Sequence, residues 1–261
     1  MNTDPRVQEL LEFVAIPSVS AQAAHAVDMG RCADWLVEKL RSLGLDARCE
    51  ETAGNPVVVG KTPHDPAKKT VLIYGHYDVQ PPEPLELWTT PPFEPAIRDG
   101  RIFGRGSSDN KGQILAHILG VGEALAEGSL PVNVIFLIEG EEEIGSAHLE
   151  AFLRAHRGRL GADVLVLSDT ANLATGLPSL TRSLRGLVAV DVCVRALDHP
   201  LHSGMWGGPA PDAATAQDYH GRNRNIVDAE EFVVAIHVLA RTRENQHCVV
   251  LDHRLAAARL E

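Results

Sequence analysis

The chain has 261 residues, enough for one large domain or one and a half of ordinary size, and its 44% hydrophobic content suits a sizeable core. Thirty-five acids against 24 Lys and Arg leave a net charge of -11, which argues against nucleic acid or anionic membrane as the main partner, since both need a basic face. No apolar run approaches the roughly 20 residues of a membrane span, the start MNTDPRVQELLEF lacks the basic and apolar regions of a signal peptide, and Cys32, Cys49, Cys193 and Cys248 include no C-x-x-C pair, so the expectation is a soluble, cytoplasmic protein with buried free thiols.

Asp4-Pro5 is a helix start, and Val7 to Phe13 has helical spacing. Ala24 to Leu43 reads as an amphipathic helix carrying Cys32, Trp35, Leu36, Leu40 and Leu43 and ending near Gly44. Short strands are expected at Ala47 to Glu51 and Pro56 to Gly60, and a buried strand at Val71 to Tyr74. After a proline-rich loop, Asp99-Gly100 marks a hairpin within Ile97 to Phe103. Lys111 to Leu125 reads as a helix, Val132 to Ile138 as a second buried strand, Ser146 to His156 as a short helix, and Val164 to Leu167 as a third buried strand. Leu184 to Ala196 alternates apolar and polar residues in part, which suits a strand exposed on one face. Beyond it, only Glu230 to Leu239 reads as firmly helical. Buried strands alternating with helices predict an α/β fold, an open sheet with helices on both faces. The change in strand character puts a domain boundary near residue 180.

Ligands of open α/β sheets bind at the carboxyl ends of the strands. Here three buried strands end alike: VLIY runs into Gly75-His76-Tyr77-Asp78, VIFLI into Glu139 to Glu143, and VLVL into Ser168-Asp169-Thr170. Asp109 lies in GRGSSDNKG, ahead of a helix. Carboxylates brought together repel one another, and a divalent cation resolves the repulsion. Histidine nitrogen with Asp and Glu oxygen suits zinc, manganese or cobalt, and a set without thiolates points to catalysis rather than structure. His76 and Asp78 are two apart, so in extended chain they share a face, and Asp78 can accept the imidazole's other N–H. Adjacent Glu142 and Glu143 cannot both face one metal in regular structure, which leaves one as ligand and the other as general base. Each feature has a plainer reading: a surface His-Asp pair, an acidic helix start, a turn at Asp109-Asn110, or an N-cap at Asp169. A two-metal phosphohydrolase is disfavoured, because Arg105 and Lys111 are the only cations beside the acids.

YGHYDVQP, GRGSSDNKGQ, EGEEEIGS, SDT and LHSGMWGG, in this order, closely resemble the di-zinc dipeptidase and deacylase family, which includes carnosine dipeptidases, glutamate carboxypeptidases, aminoacylases and succinyl-diaminopimelate desuccinylase. The wording is nearest the carnosine-dipeptidase-like branch, over about residues 7 to 216. The resemblance implies hydrolysis of dipeptides or related N-acyl amino acids by a metal-activated water, with two zinc ions per subunit. It implies that His76 and Asp169 bind one metal, Asp109 bridges both, Glu143 binds the second, Glu142 is the general base, and Asp78 supports His76. It also implies a catalytic domain over 1–180 and part of a smaller α/β lid and dimerisation domain over 181–261. There His202 would polarise the scissile carbonyl in a neighbouring subunit's site.

The family supplies a last histidine for the second metal from a later segment, and the stretch from about Gln217 onward does not resemble the family's lid. The second site is therefore expected to be incomplete unless His220, His237, His247 or His253 substitutes. The alternative reading is a catalytically inactive, truncated relative that keeps one metal site at most.

Overall fold

The chain enters its first helix through Asp4, whose carboxylate accepts the Arg6 N–H at 2.9 Å, and proline occupies the first position of α1 (Pro5–Val14). The computed structural model describes residues 4–128 and 130–181, together with the backbone of the strands at 189–195, 233–242 and 245–251. In α2 (Ala26–Ser42), Met29, Cys32, Ala33, Leu36, Val37 and Leu40 recur at helical spacing and are buried. The helix ends ahead of Gly44, which takes a positive φ of 86°. Next come β1 (Asp46–Glu50), β2 (Val57–Lys61) and β3 (Thr70–His76). The hairpin β4 (Ala96–Arg98) and β5 (Arg101–Phe103) turns through Asp99 and Gly100, both at positive φ, as its Asp-Gly pair predicts. The first unit closes with α3 (Lys111–Ala126), β6 (Asn133–Glu139), α4 (Leu149–His156) and β7 (Val164–Leu167).

Five strands form one sheet in the order β1-β2-β6-β3-β7. β1 and β2 run antiparallel to each other, β2 is antiparallel to β6, and β6, β3 and β7 run parallel. Strand alternation sends Val58, Ile73, Phe136 and Ile138 to one face, where they pack with Phe13 of α1, Leu36 and Leu40 of α2, and Ile114 and Ile118 of α3. Val57, Val59, Leu72, Ile135 and Leu137 point to the other face and meet Phe152 of α4. The expected α/β sheet with helices on both faces is therefore present, and its central strand β6 is buried at every position.

One buried group crosses between helices. Lys111, the first residue of α3, is fully buried, and its ammonium donates to the main-chain oxygens of Phe13 at 3.1 Å and Ile16 at 2.6 Å. Burial holds its pKa below the usual lysine value. Cys32 and Cys49 are both free thiols, and burial pushes the Cys49 pKa up to about 11.

Residues Met1–Leu180 and Thr181–Glu261 form two compact units. The second contains β8 (Ala189–Arg195), β9 (Val233–Thr242) and β10 (Asn245–Leu251) as an antiparallel sheet in the order β10-β9-β8. β8 lies within the expected strand at 184–196. The expected helix at 230–239 does not form over its described part: Val233, Val234, Ile236 and Val238 are β-branched, and the segment pairs with both neighbours as β9. A second difference concerns β7. Its apolar run reads as buried, yet Val164, Leu165 and Leu167 are 51, 62 and 53% exposed, because among the described residues β7 is an edge strand of its sheet. α4 begins at Leu149 rather than Ser146, because Gly145 and Ser146 adopt positive φ and break the backbone.

Candidate metal centre

His76 is the last residue of β3 and stands beside Glu139, the last residue of β6. The imidazole is wholly buried. Its Nδ1 lies 3.0 Å from the main-chain oxygen of Asp78, so Nδ1 carries the hydrogen and donates it there. In the neutral ring, the form that binds a metal, Nε2 is left with a lone pair. It is buried and makes no hydrogen bond, yet Asp109 Oδ1 stands 3.3 Å away, Asp169 Oδ2 3.4 Å and Glu142 Oε2 4.0 Å. In that neutral ring the lone pair facing anions is repulsive, and either a proton on Nε2 or a metal cation among them removes the repulsion. Ligand atoms on a tetrahedral zinc sit about 3.4 Å apart, given bonds of about 2.1 Å, so the observed separations fit a divalent ion.

Two donor groups result among the described residues. His76, Asp109 and Asp169 form one, and His76, Glu142 and Glu143 the other; within each, the ligand atoms lie within 4.8 Å of one another. His76 belongs to both. Glu142 and Glu143 both reach this region, although adjacent residues in a regular strand could not both face one metal. They occupy a short 3-10 turn, Glu142–Ile144, where neighbouring side chains need not diverge as they do in a strand.

The acids hold the proton of a metal-free imidazole firmly. Burial works to lower the His76 pKa, but the carboxylates of Asp169 and Asp78 outweigh it and raise it to about 11. His76 in turn holds the Asp169 pKa below the usual carboxylate value. Burial pushes Glu142 and Glu143 upward; His76 opposes this at Glu142 and a hydrogen bond from Gln80 opposes it at Glu143.

Asp78, also fully buried, anchors the turn. Its Oδ1 accepts the Glu142 N–H at 3.2 Å, and its Oδ2 accepts the Glu143 N–H at 3.1 Å and the Ser20 hydroxyl at 2.6 Å. Gln80 donates its side-chain amide to Glu143 Oε2 at 2.7 Å. The acidic run therefore divides its labour. Glu139 is buried and accepts from the Tyr74 hydroxyl at 2.6 Å and the Ser146 hydroxyl at 2.9 Å. Glu141 turns away and accepts the Asn55 N–H at 3.0 Å, with His148 Nδ1 2.8 Å from its other oxygen. Only Glu142 and Glu143 face the centre.

Of the residues singled out in the sequence, His76, Asp78, Asp109, Glu142, Glu143 and Asp169 come together here. His202, His220 and His253 lie outside the described residues, and His237 and His247 fall in β9 and β10, of which only the backbone is described. Ser20, Gln80 and Asn110 were missed as supporting residues. Gln80 had a faint signal, two residues beyond Asp78 in extended chain; Ser20 had none, because a distant loop delivers it. The cations weighed for a phosphate site are engaged elsewhere. Lys111 holds main-chain oxygens in the core, and Arg105 donates to the Pro81 oxygen at 3.2 Å with its guanidinium 5.5 Å from the Trp88 ring centre.

Among known proteins, the chain is 36% identical to a cysteinylglycine-S-conjugate dipeptidase of Corynebacterium striatum over 85% of its own length and 51% of that protein. It is 36% identical to the rat Beta-Ala-His dipeptidase over 80% of its own length and 46% of that protein. The structure superposes on human carnosine dipeptidase 1 with a TM-score of 0.74 at 35% identity, covering 86% of this chain and 50% of that one. For Saccharomyces cerevisiae Dug1p the TM-score is 0.73 at 31% identity, covering 83% of this chain and 49% of that one. The chain thus spans about half the length of these relatives. The family model for peptidase family M20/M25/M40 matches residues 72–244, a stretch that carries every residue gathered around His76 Nε2. By sequence and by fold alike, the chain belongs to peptidase family M20/M25/M40.

Proposed function

We propose that the chain hydrolyses dipeptides or related N-acyl amino acids with a bound divalent cation, zinc first, with manganese or cobalt able to occupy the same donors. The observation that carries this reading is the buried, unpartnered His76 Nε2 aimed at the carboxylates of Asp109, Asp169 and Glu142. His76, Asp109 and Asp169 would hold the first ion, and Glu143, with Asp109, would hold a second. When bound, the cation supplies Lewis acidity and makes an attacking water more acidic. Glu142 takes the proton released by that water and returns it to the departing amine. Its pKa, raised chiefly by burial, suits both tasks. Asp78 fixes the turn that carries Glu142 and Glu143. The resemblance of the motif at Leu201 to Gly208 supports His202 as the group that polarises the scissile carbonyl, supplied to a neighbouring subunit's site through a lid over 181–261. The free thiols Cys32 and Cys49 support a reducing, cytoplasmic setting. The names of the relatives make Cys-Gly and β-Ala-His the first substrates to try.

One observation favours a second reading, an inactive relative with a single metal. Among the described residues both donor groups draw on the same imidazole, and Nε2 binds one ion only. The first metal should therefore bind more tightly than the second. Metal content per gel-filtered, zinc-reconstituted chain, measured by plasma mass spectrometry and followed by a dipeptide panel, decides between them. Two metals with turnover sustain the hydrolase; one metal without turnover sustains the inactive reading; and no metal overturns both.

A further inference from the structure

The parallel ladder between β3 and β7 runs from Val71 and Val164 to Tyr74 and Leu167 and then stops, although both chains continue to site residues. Beyond that point one side chain takes over. The His76 N–H donates to Asn110 Oδ1 at 3.3 Å, and Asn110 Nδ2 donates to the Ser168 main-chain oxygen at 3.3 Å. A side-chain amide thus stands where the next backbone rung would be, as a peptide-like spacer wedged between two diverging strands. Asn110 is 1% exposed, so no water takes its place cheaply. Gly75 makes the wedge possible: a Cβ there would collide with Asn110 Oδ1 and with Ile114 Cδ1.

The same amide makes a third bond, from Nδ2 to Asp169 Oδ1 at 3.0 Å. The other oxygen, Oδ2, is the one that faces His76 Nε2 at 3.4 Å. One Asn110 side chain therefore separates the strands that carry His76 and Asp169, and also occupies one of the two Asp169 oxygens. An ammonium or hydroxyl could do one of these things; only a planar group with both acceptor and donor does both.

We propose that Asn110 is a positioning residue for the metal centre: it sets the gap between His76 and Asp169 and makes Asp169 a one-oxygen ligand through Oδ2. This rests on the metal-binding reading above. Asn110 is in neither donor group, so its effect should appear in metal affinity and coordination geometry before any effect on turnover is considered.

The test uses the whole chain and its Asn110→Ala and Asn110→Asp variants, titrated with zinc against a chromophoric chelator and with cobalt by visible absorption. Asp keeps the shape and the acceptor but loses the donor. The expected result is a fall of about 10- to 100-fold in affinity at the tighter site and an altered cobalt spectrum in both variants, while the metal-free proteins remain folded by circular dichroism. Folded variants with unchanged affinity and an unchanged cobalt spectrum overturn the proposal and leave the metal reading intact. Failure of the unsubstituted chain to bind either metal overturns the metal reading and this one with it. Should neither variant fold, the unsubstituted chain decides by NMR. The Asn110 side-chain amide hydrogens are expected to exchange slowly and to shift on zinc addition; fast exchange or no shift overturns the role.

Discussion

His76 Nδ1 lies closer to the main-chain oxygen of Asp78, at 3.0 Å, than to the carboxylate of the same residue, at 3.3 Å. The tautomer of the imidazole is thus secured by a backbone atom that no substitution at position 78 removes. The Asp78 carboxylate has other work, accepting two N–H groups of the Glu142–Glu143 turn and the Ser20 hydroxyl. Asp78→Ala is therefore expected to leave Nδ1 hydrogen-bearing by nitrogen NMR, in the metal-free and in the metal-loaded chain. It should lower stability by about 1–3 kcal/mol through the stranded donors, and weaken metal binding about 10- to 100-fold. Denaturant melts and isothermal titration check the two effects.

Metal binding should release a proton at neutral pH. In the metal-free chain the His76 pKa is raised to about 11, so the imidazole is protonated at pH 7, and a metal can bind only the neutral ring. Affinity is expected to rise with pH through the neutral range, and calorimetry in buffers of different ionisation enthalpy should count about one proton released. The stability of the metal-free chain has the opposite slope. The raised pKa contributes fully below the ordinary value of 6.5 and is lost as pH rises toward about 11, so thermal melts should soften across that window.

Glu142→Gln keeps the shape of the side chain and removes its basicity. Dipeptide turnover should fall by about 10²- to 10⁴-fold, with metal content per chain unchanged. Loss of metal together with activity would instead make Glu142 a ligand.

Gly75→Ala is expected to destabilise the chain by about 1–3 kcal/mol, because the added methyl has to displace Ile114 and Asn110. Gly30→Ala within α2 is the matched control. Outside its chain neighbours and the helix's own backbone, nothing lies within 4 Å of the added methyl there, and the helix should gain about 0.5–1 kcal/mol. Paired thermal melts check both signs.

The parts of this molecule that can be read from its residues are those governed by local periodicity. β3 and β6 announce themselves as apolar runs, α2 by its helical stripe, and the β4–β5 turn by Asp99-Gly100. What stays hidden depends on partners distant in sequence. The acidic run from Glu139 to Glu143 gives no hint that Glu139 serves Tyr74 and Ser146, or that Glu141 serves Asn55 and His148. β7 reads as buried because VLVL is apolar throughout, and nothing local says it lies at a sheet edge. Segment 230–239 misleads for a related reason: Ala229-Glu230-Glu231 suits a helix start, while the β-branched residues that follow find strand partners in β8 and β10.

The buried ammonium of Lys111 has a practical consequence for anyone trimming this protein. The family match begins at residue 72, which invites a shortened version lacking the first seventy residues. Such a deletion would take away the Phe13 and Ile16 oxygens that hold the Lys111 ammonium, and with them the Ser20 hydroxyl that steadies Asp78. The Lys111 ammonium, one residue from Asn110 and two from Asp109, would lose both acceptors, and the sheet face that α1 and α2 cover would be laid bare. The leading helix thus belongs to the foundations of the active region, and the shortest version worth expressing keeps it.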